Sequence, residues 1–270
     1  MRIAALQYTA RDDLAINCDI ALRLIKAAVE NGATTICLPE CANLLAKDKD
    51  SLFAKAETEN SSAFLAMIQS AAIAHDIWVS VGSMMIRDAA YEDDRIANRQ
   101  FIISPKGKII ARYDKIHMFD ADVNDGQTYR ESSSFRPGKA PCLTHIDGHK
   151  TGLSICYDIR FAGLYHHYAR NQAEMIFTPA AFTARTGAAH WHVLQRSRAI
   201  ETGAFIIAAA QKGTHDDNRQ TYGHALIISP WGEVLADAGP DGDMAVADID
   251  FDEVTKARAR LQAWRAQTAF

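Results

Sequence analysis

Short apolar runs alternate with longer amphipathic runs along the whole chain, and this alternation limits the possible folds more than any other feature of the sequence. Apolar runs at residues 1–8 and 77–84 each predict a buried strand. Residues 13–31, 62–75 and 190–202 predict helices, because their apolar side chains recur at helical spacing. The chain therefore combines strands and helices along its length.

Turn residues between neighbouring apolar runs predict β-hairpins. They stand at residues 105–107 (Pro-Lys-Gly), 147–148 (Asp-Gly) and 230–232 (Pro-Trp-Gly). Strands joined through a helix usually run parallel, whereas the strands of a hairpin run antiparallel. The combination predicts an α/β fold with more than one mixed sheet covered by helices.

The composition excludes several classes of protein. A chain of 270 residues with 48% hydrophobic content can bury one sizeable core, and its net charge of −4 without a basic patch argues against a nucleic-acid partner. Five irregularly spaced cysteines do not indicate a disulfide framework, and the apolar start is too short for a secretory signal. No apolar run approaches the roughly 20 residues of a membrane span. We expect a cytoplasmic protein with no membrane partner.

Three apolar runs end in a reactive side chain. The run TTICLPE ends in Glu40, KIIARYDK ends in Lys115, and KTGLSIC ends in Cys156. Residues just beyond strand ends gather along one edge of a sheet, where α/β proteins usually place their sites. We therefore expect these three side chains to meet although they are far apart in the sequence.

The three residue types form a chemically sensible set for cleaving an amide. A thiol is mostly protonated at neutral pH, so a carboxylate such as Glu40 has to take its proton and later return it to the departing amine. A buried ammonium, here Lys115, favours the thiolate and stabilises an oxyanion together with the backbone N–H of Tyr157. Each residue alone also has an ordinary interpretation: an inert core cysteine, a carboxylate at a helix start and a solvated lysine.

Several segments strongly resemble the nitrilase superfamily of carbon–nitrogen hydrolases. The three signature blocks correspond to LPE at residues 38–40, YDKIHMFD at 113–120 and SICYDIRF at 154–161. RESSSFRPG at 130–138 and the segments at 178–201 and 222–236 follow in the family's order. The resemblance covers most of the chain, from residue 1 to about residue 250.

This resemblance implies a four-layer αββα sandwich with two mixed sheets and a Glu–Lys–Cys triad. Glu40 would be the general base, Lys115 the stabiliser of the oxyanion and Cys156 the nucleophile. A second carboxylate of the family corresponds to Glu131, which would hold Lys115 and position the substrate. The resemblance implies no metal or organic cofactor.

The resemblance also bears on organisation and assembly. It places one carbon–nitrogen hydrolase domain at residues 1–250 and leaves an amphipathic extension at 251–270, which would pack on the domain or on a partner copy. A homodimer or larger homo-oligomer is implied, with contacts through the helix at 190–202 and the helix after Cys156.

Residues near the expected site allow two interpretations each. Asp158 and Arg160 follow the nucleophile, and we expect them to support its turn, although Arg160 could bind a substrate carboxylate. Phe182, Thr186 and His190 fall where the family has its substrate-binding wall, but helix capping and core packing would explain them equally well.

A metal site at His190 and His192 is the main alternative to thiol chemistry. The pattern His190-Trp191-His192 is similar to the paired histidines of metal-dependent amidohydrolases. Those histidines need a strand, where residues i and i+2 share a face. A helical segment separates them, so we expect no metal here.

The substrate is expected to be a small carboxylated amide. The stretch at residues 208–225 resembles the deaminated-glutathione amidase branch, whose products would be 2-oxoglutarate and cysteinylglycine. An ω-amidase acting on 2-oxoglutaramate is the alternative, followed by an N-carbamoyl amino acid hydrolase and a true nitrilase. A catalytically silent binding protein is the alternative from a different class.

Overall fold

The computed structural model describes residues 1–90 and 93–265, and all elements named here lie in these ranges. The helices are α1 (Leu14–Glu30), α2 (Lys49–Lys55), α3 (Ala63–His75), α4 (Ala162–Arg170), α5 (Ala184–Thr202) and α6 (Asp252–Arg260). The strands are β1 (Arg2–Tyr8), β2 (Thr35–Cys37), β3 (Trp78–Ser80), β4 (Met84–Ile86), β5 (Ala97–Ile103), β6 (Ile109–Asp114), β7 (Asp120–Asp122), β8 (Thr128–Arg130), β9 (Cys142–Ile146), β10 (His149–Leu153), β11 (Met175–Phe177), β12 (Phe205–Ala208), β13 (Ala210–Thr214), β14 (Gln220–Tyr222), β15 (Leu226–Ile228), β16 (Val234–Asp237) and β17 (Met244–Asp248).

The strands form two large mixed sheets and one small ribbon. The first sheet has the order β14-β13-β1-β2-β3-β5-β4, with β17 beside β1 and β6 beside β5. The second has the order β16-β15-β12-β11-β10-β9, and β7 pairs with β8. Each large sheet has a parallel centre, β1-β2-β3 or β10-β11-β12, with antiparallel partners beside it. The predicted α/β class and mixed sheets are confirmed, as are the three hairpins, β5-β6, β9-β10 and β15-β16.

The two faces of β1 show how the core is divided. Ala4, Leu6 and Tyr8 point into a cluster with the buried faces of α1 and α3. Ile3 and Ala5 alternate with them and belong to a second cluster, which includes the strands of the second sheet and residues of α4 and α5. Alternation along a strand therefore places helices on one face of the first sheet and the second sheet on the other.

The helix boundaries follow from capping side chains. Asp13 accepts hydrogen bonds from Ala15 N and Ile16 N and begins α1, and Ser62 caps α3 in the same way. Helix α5 begins at Ala184 rather than at residue 190, because the Thr183 side chain accepts from the backbone N–H of Thr186. The helix predicted over residues 190–202 therefore starts earlier, and residues 184–190, expected in part as loop, form its first turns.

The strand predicted at residues 77–84 is in fact two strands, β3 and β4. Gly82 lies between them with a φ of +65°, outside the range of a regular strand. A Cβ at Gly82 would lie 2.0 Å from the carbonyl oxygen of Leu38 and 2.2 Å from that of Pro39. The chain thus turns where its backbone presses against the segment that leads to Glu40.

Candidate active site

The side chains of Glu40, Lys115 and Cys156 meet at neighbouring strand ends. Glu40 follows β2, Lys115 follows β6 directly, and Cys156 follows β10. Lys115 Nζ lies 2.9 Å from Glu40 Oε1, and Cys156 lies close enough to Glu40 that each group shifts the pKa of the other. The structure therefore brings the three predicted residues into contact.

Glu131 completes a buried group of charges. Its two oxygens lie 2.9 Å from Lys115 Nζ, and Oε2 accepts a hydrogen bond of 2.6 Å from Phe119 N. The side chain of Lys115 is 2% exposed and that of Glu40 is 4% exposed. Charges this deeply buried are tolerated only when they are paired and hydrogen-bonded. One ammonium between two carboxylates satisfies that requirement.

Two further contacts fix the orientation of Glu40. The amide of Asn98 donates to Glu40 Oε1 at 2.9 Å and to Glu131 Oε1 at 3.2 Å. The backbone N–H of Ala181 donates to Glu40 Oε2 at 2.7 Å. Asn98 was not predicted from the sequence: it lies in strand β5 directly before the polar residues Arg99 and Gln100, so its side chain does not stand out there.

Burial and mutual charge set the protonation state of the group. Burial raises the pKa of the Cys156 thiol well above its ordinary value, and the Glu40 charge adds to that rise more than Lys115 reduces it. Burial opposes ionisation of Glu40, but Lys115 lowers the pKa of that carboxyl overall. Burial also opposes the charge of Lys115, yet Glu131 and Glu40 raise its pKa well above the usual range. At neutral pH the site therefore holds a neutral thiol beside an ionised carboxylate.

Cys156 sits on a strained turn. Its φ is +46°, a left-handed conformation that a non-glycine residue adopts at some cost, typically at functional sites. Its N–H donates to the carbonyl of Pro179 at 2.9 Å, and Tyr157 follows in the first turn of a short 3₁₀ helix. N–H groups in such a first turn have no partner within the helix, so the N–H of Tyr157 can serve an oxyanion.

Asp158 holds this turn in place, as predicted. Its buried carboxylate accepts hydrogen bonds from Tyr113 Oη at 2.7 Å, from Ile155 N at 2.9 Å and from His117 N at 3.0 Å. It therefore links the nucleophile turn to the segment just beyond β6. Lys115 and Cys156 are tied together through this network as well as through Glu40.

A cavity of about 600 Å³ opens onto the charged group. Its wall includes Glu40, Lys115, Glu131 and Cys156, together with the cations Arg130 and Arg219. The guanidinium of Arg219 lies over the ring of Tyr129, 5.3 Å from its centroid, and pairs with Asp217 at 3.3 Å. The sequence analysis did not single out Arg219, although it lies in the stretch at 208–225.

The four predicted substrate-binding residues lie outside the cavity wall, and Arg160 packs with two of them, Phe182 and His190. Arg160 lies 5.2 Å from the ring centroid of Phe182, and its Nη2 is 3.3 Å from His190 Nδ1. The Thr186 hydroxyl is 2.8 Å from that of Thr183 at the start of α5. The residues lining the cavity include none of the four. Their packing fits the ordinary interpretation, helix capping and ring stacking, and their part in binding substrate stays a prediction.

Comparisons with known proteins agree with this geometry. The sequence model of the carbon–nitrogen hydrolase family matches residues 2–259. A protein of Synechocystis named deaminated glutathione amidase is 41% identical over 96% of this chain and 94% of its own length. A mouse protein of the same name is 33% identical over 97% of this chain and 82% of its own length.

Solved structures show the same fold. The Caenorhabditis elegans NitFhit protein superposes with a TM-score of 0.89 at 33% identity, and the match covers 98% of this chain and 64% of that one. Saccharomyces cerevisiae Nit3, a member of the nitrilase superfamily, superposes with a TM-score of 0.86 at 25% identity over 97% of this chain and 94% of its own. No helix in the described ranges is both long and apolar enough to span a membrane. From the family match and these relatives we conclude that the chain belongs to the carbon–nitrogen hydrolase family.

Proposed function

We propose that the protein hydrolyses amides through an acyl thioester on Cys156, with Glu40 as the general base and Lys115 as the stabiliser of the oxyanion. The observation that carries this proposal is the contact of a neutral thiol with an ionised carboxylate that is itself paired with a buried ammonium. The arrangement matches the requirements of nucleophilic catalysis, in which a base must activate the thiol.

Acylation follows from the positions of these groups. Cys156 Sγ attacks the amide carbonyl carbon while its proton passes to Glu40, and the carbonyl oxygen becomes an oxyanion facing Lys115 Nζ and the N–H of Tyr157. Collapse of this intermediate breaks the carbon–nitrogen bond, and Glu40 gives the proton to the departing amine. The products at this stage are the free amine and a thioester.

Deacylation repeats the sequence with water. Glu40, again ionised, takes a proton from a water molecule that attacks the thioester carbonyl. The second tetrahedral intermediate expels the Cys156 thiolate, which recovers its proton from Glu40, and the carboxylic acid leaves. Glu131 holds Lys115 in place during both halves and is a positioning residue.

We further propose deaminated glutathione as the substrate, which would be cleaved to 2-oxoglutarate and cysteinylglycine. Relatives that are 41% and 33% identical over nearly the whole chain carry that name. The group around Lys115 has one ammonium and two carboxylates, so an anionic substrate depends on cations elsewhere in the cavity wall. These cations are Lys47, Lys49, Arg130 and Arg219, the last of which is paired with Asp217.

A substrate panel tests this proposal. We expect kcat/KM for deaminated glutathione to exceed that for 2-oxoglutaramate, an N-carbamoyl amino acid and a simple nitrile. Intact mass should show an acyl adduct that is absent from the Cys156→Ala variant. If 2-oxoglutaramate is preferred by more than about tenfold, roughly 1.4 kcal/mol of transition-state preference, the protein is an ω-amidase. If no amide acylates the chain, the catalytic proposal itself fails.

We also propose a homodimer that acts in the cytoplasm. Exposed apolar side chains on α5 and the following hairpin support an interface: Val193 is 64% exposed, Ile200 46% and Trp231 48%. Light scattering should show at least a dimer, which Val193→Glu should weaken. The matched control is Ile73→Glu, since Ile73 is 59% exposed on α3. All five cysteines are unpaired thiols, which suits a reducing compartment.

The domain boundary is part of the same proposal, with one domain at residues 1–250 and an extension from 251. In the extension, Val254 and Ala257 of α6 are buried. Arg258 Nε donates to the carbonyl of Thr202 at 3.1 Å. These contacts support packing of the extension on the domain of its own chain. Residues 266–270 lie outside the described part.

A further inference from the structure

A second cluster of titratable side chains lies outside the cavity wall. It consists of His192 on α5, His224 between β14 and β15, and Asp237 at the end of β16. His192 Nε2 is 3.0 Å from Asp237 Oδ2, and His224 Nδ1 is 3.0 Å from Asp237 Oδ1. One nitrogen of each histidine and one carboxylate oxygen all lie within 4.8 Å of one another.

The cluster is not the His190–His192 pair that the sequence suggests. On helix α5 these two histidines diverge: His190 contacts Arg160, whereas His192 contacts Asp237. The partners of His192 come from segments that are distant in the sequence. His192, His224 and Asp237 are brought together only by the fold, so no short sequence motif predicts this cluster.

The backbone around the cluster holds its members in place. His224 has a φ of +56°; its N–H donates to Gly239 O at 3.0 Å, and its carbonyl accepts from the indole of Trp191 at 2.7 Å. The ring of Tyr222 stacks on that of His224 with 4.5 Å between centroids. Asp237 Oδ1 also accepts from Gly239 N at 2.7 Å. These contacts hold His224 and Asp237 in place, while His192 projects from α5.

We propose that His192, His224 and Asp237 form a binding site for a divalent transition-metal ion of the Zn²⁺ or Co²⁺ type. Two imidazole nitrogens and one carboxylate oxygen are typical ligands of Zn²⁺ in proteins. Bonds of about 2.0 Å to a tetrahedral ion place neighbouring ligand atoms roughly 3.3 Å apart, close to the two histidine–carboxylate distances here. The two histidine nitrogens lie near the same carboxylate oxygen: His192 Nε2 is 3.0 Å and His224 Nδ1 is 3.1 Å from Asp237 Oδ2.

Metal binding would replace hydrogen bonds with coordination bonds. Each histidine is hydrogen-bonded to Asp237 through the nitrogen that would coordinate the ion, so in the metal-bound form the imidazole proton would sit on the other ring nitrogen. The side chains of His192, His224 and Asp237 are 32%, 19% and 31% exposed, so water can fill a fourth position. The ion would link α5 to β16 and to the β14–β15 connection, outside the wall of the cavity that includes Cys156.

The test is a titration of the metal-free full-length chain with Co²⁺, followed by visible absorption and calorimetry. The parent protein carries Cys156→Ala, and a thiolate–Co²⁺ band would reveal binding at the remaining cysteines. The variants are His192→Ala, Asp237→Asn and His224→Asn; asparagine tolerates the left-handed backbone at residue 224. The matched control is His145→Ala on β9, since His145 is another exposed histidine.

We expect one Co²⁺ per chain without a thiolate band, a Kd raised by roughly tenfold or more in each cluster variant, and little change in the control. Zn²⁺ should raise the Tm of the parent but not that of Asp237→Asn, which keeps the size of the carboxylate. Two results would overturn the proposal. One is the lack of saturable binding by the parent, which would leave a simple histidine–carboxylate network. The other is binding that survives in folded His192→Ala and Asp237→Asn.

Discussion

Lys115 Nζ lies 2.9 Å from both carboxylate oxygens of Glu131 and also 2.9 Å from Glu40 Oε1, so two carboxylates hold this ammonium at once. Each carboxylate has a backbone donor of its own, Phe119 N for Glu131 and Ala181 N for Glu40. After burial, the charge of Glu40 is the largest cause of the raised pKa of the Cys156 thiol, so Glu40 is the carboxylate that interacts with the nucleophile. We infer that Glu131 positions the cation and that Glu40 moves the proton.

Glu131→Gln should slow the reaction without preventing folding. The amide keeps the size of the side chain but loses the charge that fixes Lys115, and a displacement of about 1 Å near the reacting atoms can cost roughly a hundredfold in rate. We expect kcat to fall by about that factor while KM changes little. Steady-state kinetics and circular dichroism measure both effects. A normal kcat would remove Glu131 from the mechanism.

Lys115→Arg should inactivate the protein although the charge is kept. The Nζ site is 2% exposed and surrounded by Glu40, Glu131 and Asn98, so a larger planar guanidinium does not fit. We expect a loss in kcat of about 10²–10³-fold, the usual cost of removing one oxyanion donor. Lys115→Met is the companion variant, because it removes the charge with little change in volume. Near-normal turnover by either variant would contradict the role of Lys115.

The pH profile of kcat/KM should be flat across the neutral range. The lowered pKa of Glu40 keeps the base ionised, so the rate should fall only at a pH below the usual range of a glutamate carboxyl. The raised pKa values of Cys156 and Lys115 leave both groups protonated in the free enzyme up to about pH 9. A rate that instead climbs with a midpoint near pH 8 to 9 would indicate a preformed thiolate and argue against Glu40 as the base.

Gly82→Ala, a substitution in the first sheet, should displace the segment that leads to Glu40. Its new Cβ would meet the carbonyls of Leu38 and Pro39, the residues that lead to Glu40, and the φ of +65° adds strain. We expect a loss in stability of about 1–3 kcal/mol and reduced activity, measured by urea denaturation and kinetics. Gly163→Ala in α4 is the control, because a Cβ there meets nothing within 4 Å. Equal behaviour of the two variants would contradict this account.

The sequence predicts local features well and long-range contacts poorly. The hairpins were predictable because each depends on a turn and its two flanking runs. The proximity of Glu40, Lys115 and Cys156 was predictable because signature blocks mark all three residues. Asn98 donates to Glu40 from another strand, and only the pairing of β5 in the sheet places it there. The strand at 77–84 was predicted as one element because the apolar run does not reveal the close backbone contact at Gly82.

Arg219 should bind a carboxylate of the substrate. It lines the cavity with Cys156, and its Nε–H is buried without an acceptor in the described residues, so its pairing with Asp217 does not use all of its donors. Burial opposes the charge of Arg219, but Asp217 and, more weakly, Glu40 raise its pKa. Arg219 therefore interacts electrostatically with the carboxylate beside Cys156.

Arg219→Gln should therefore lower kcat/KM for deaminated glutathione by about 10- to 100-fold, since a hydrogen bond to a charged group contributes roughly 1.5–3 kcal/mol. Hydrolysis of a small uncharged amide should stay within about threefold of its original rate, because the charged group at Cys156 is untouched. Arg160→Gln is the matched control, since Arg160 is the alternative candidate for binding the carboxylate but lies outside the cavity wall. If Arg160→Gln shows the selective loss and Arg219→Gln does not, Arg160 binds the carboxylate and the assignment to Arg219 is wrong.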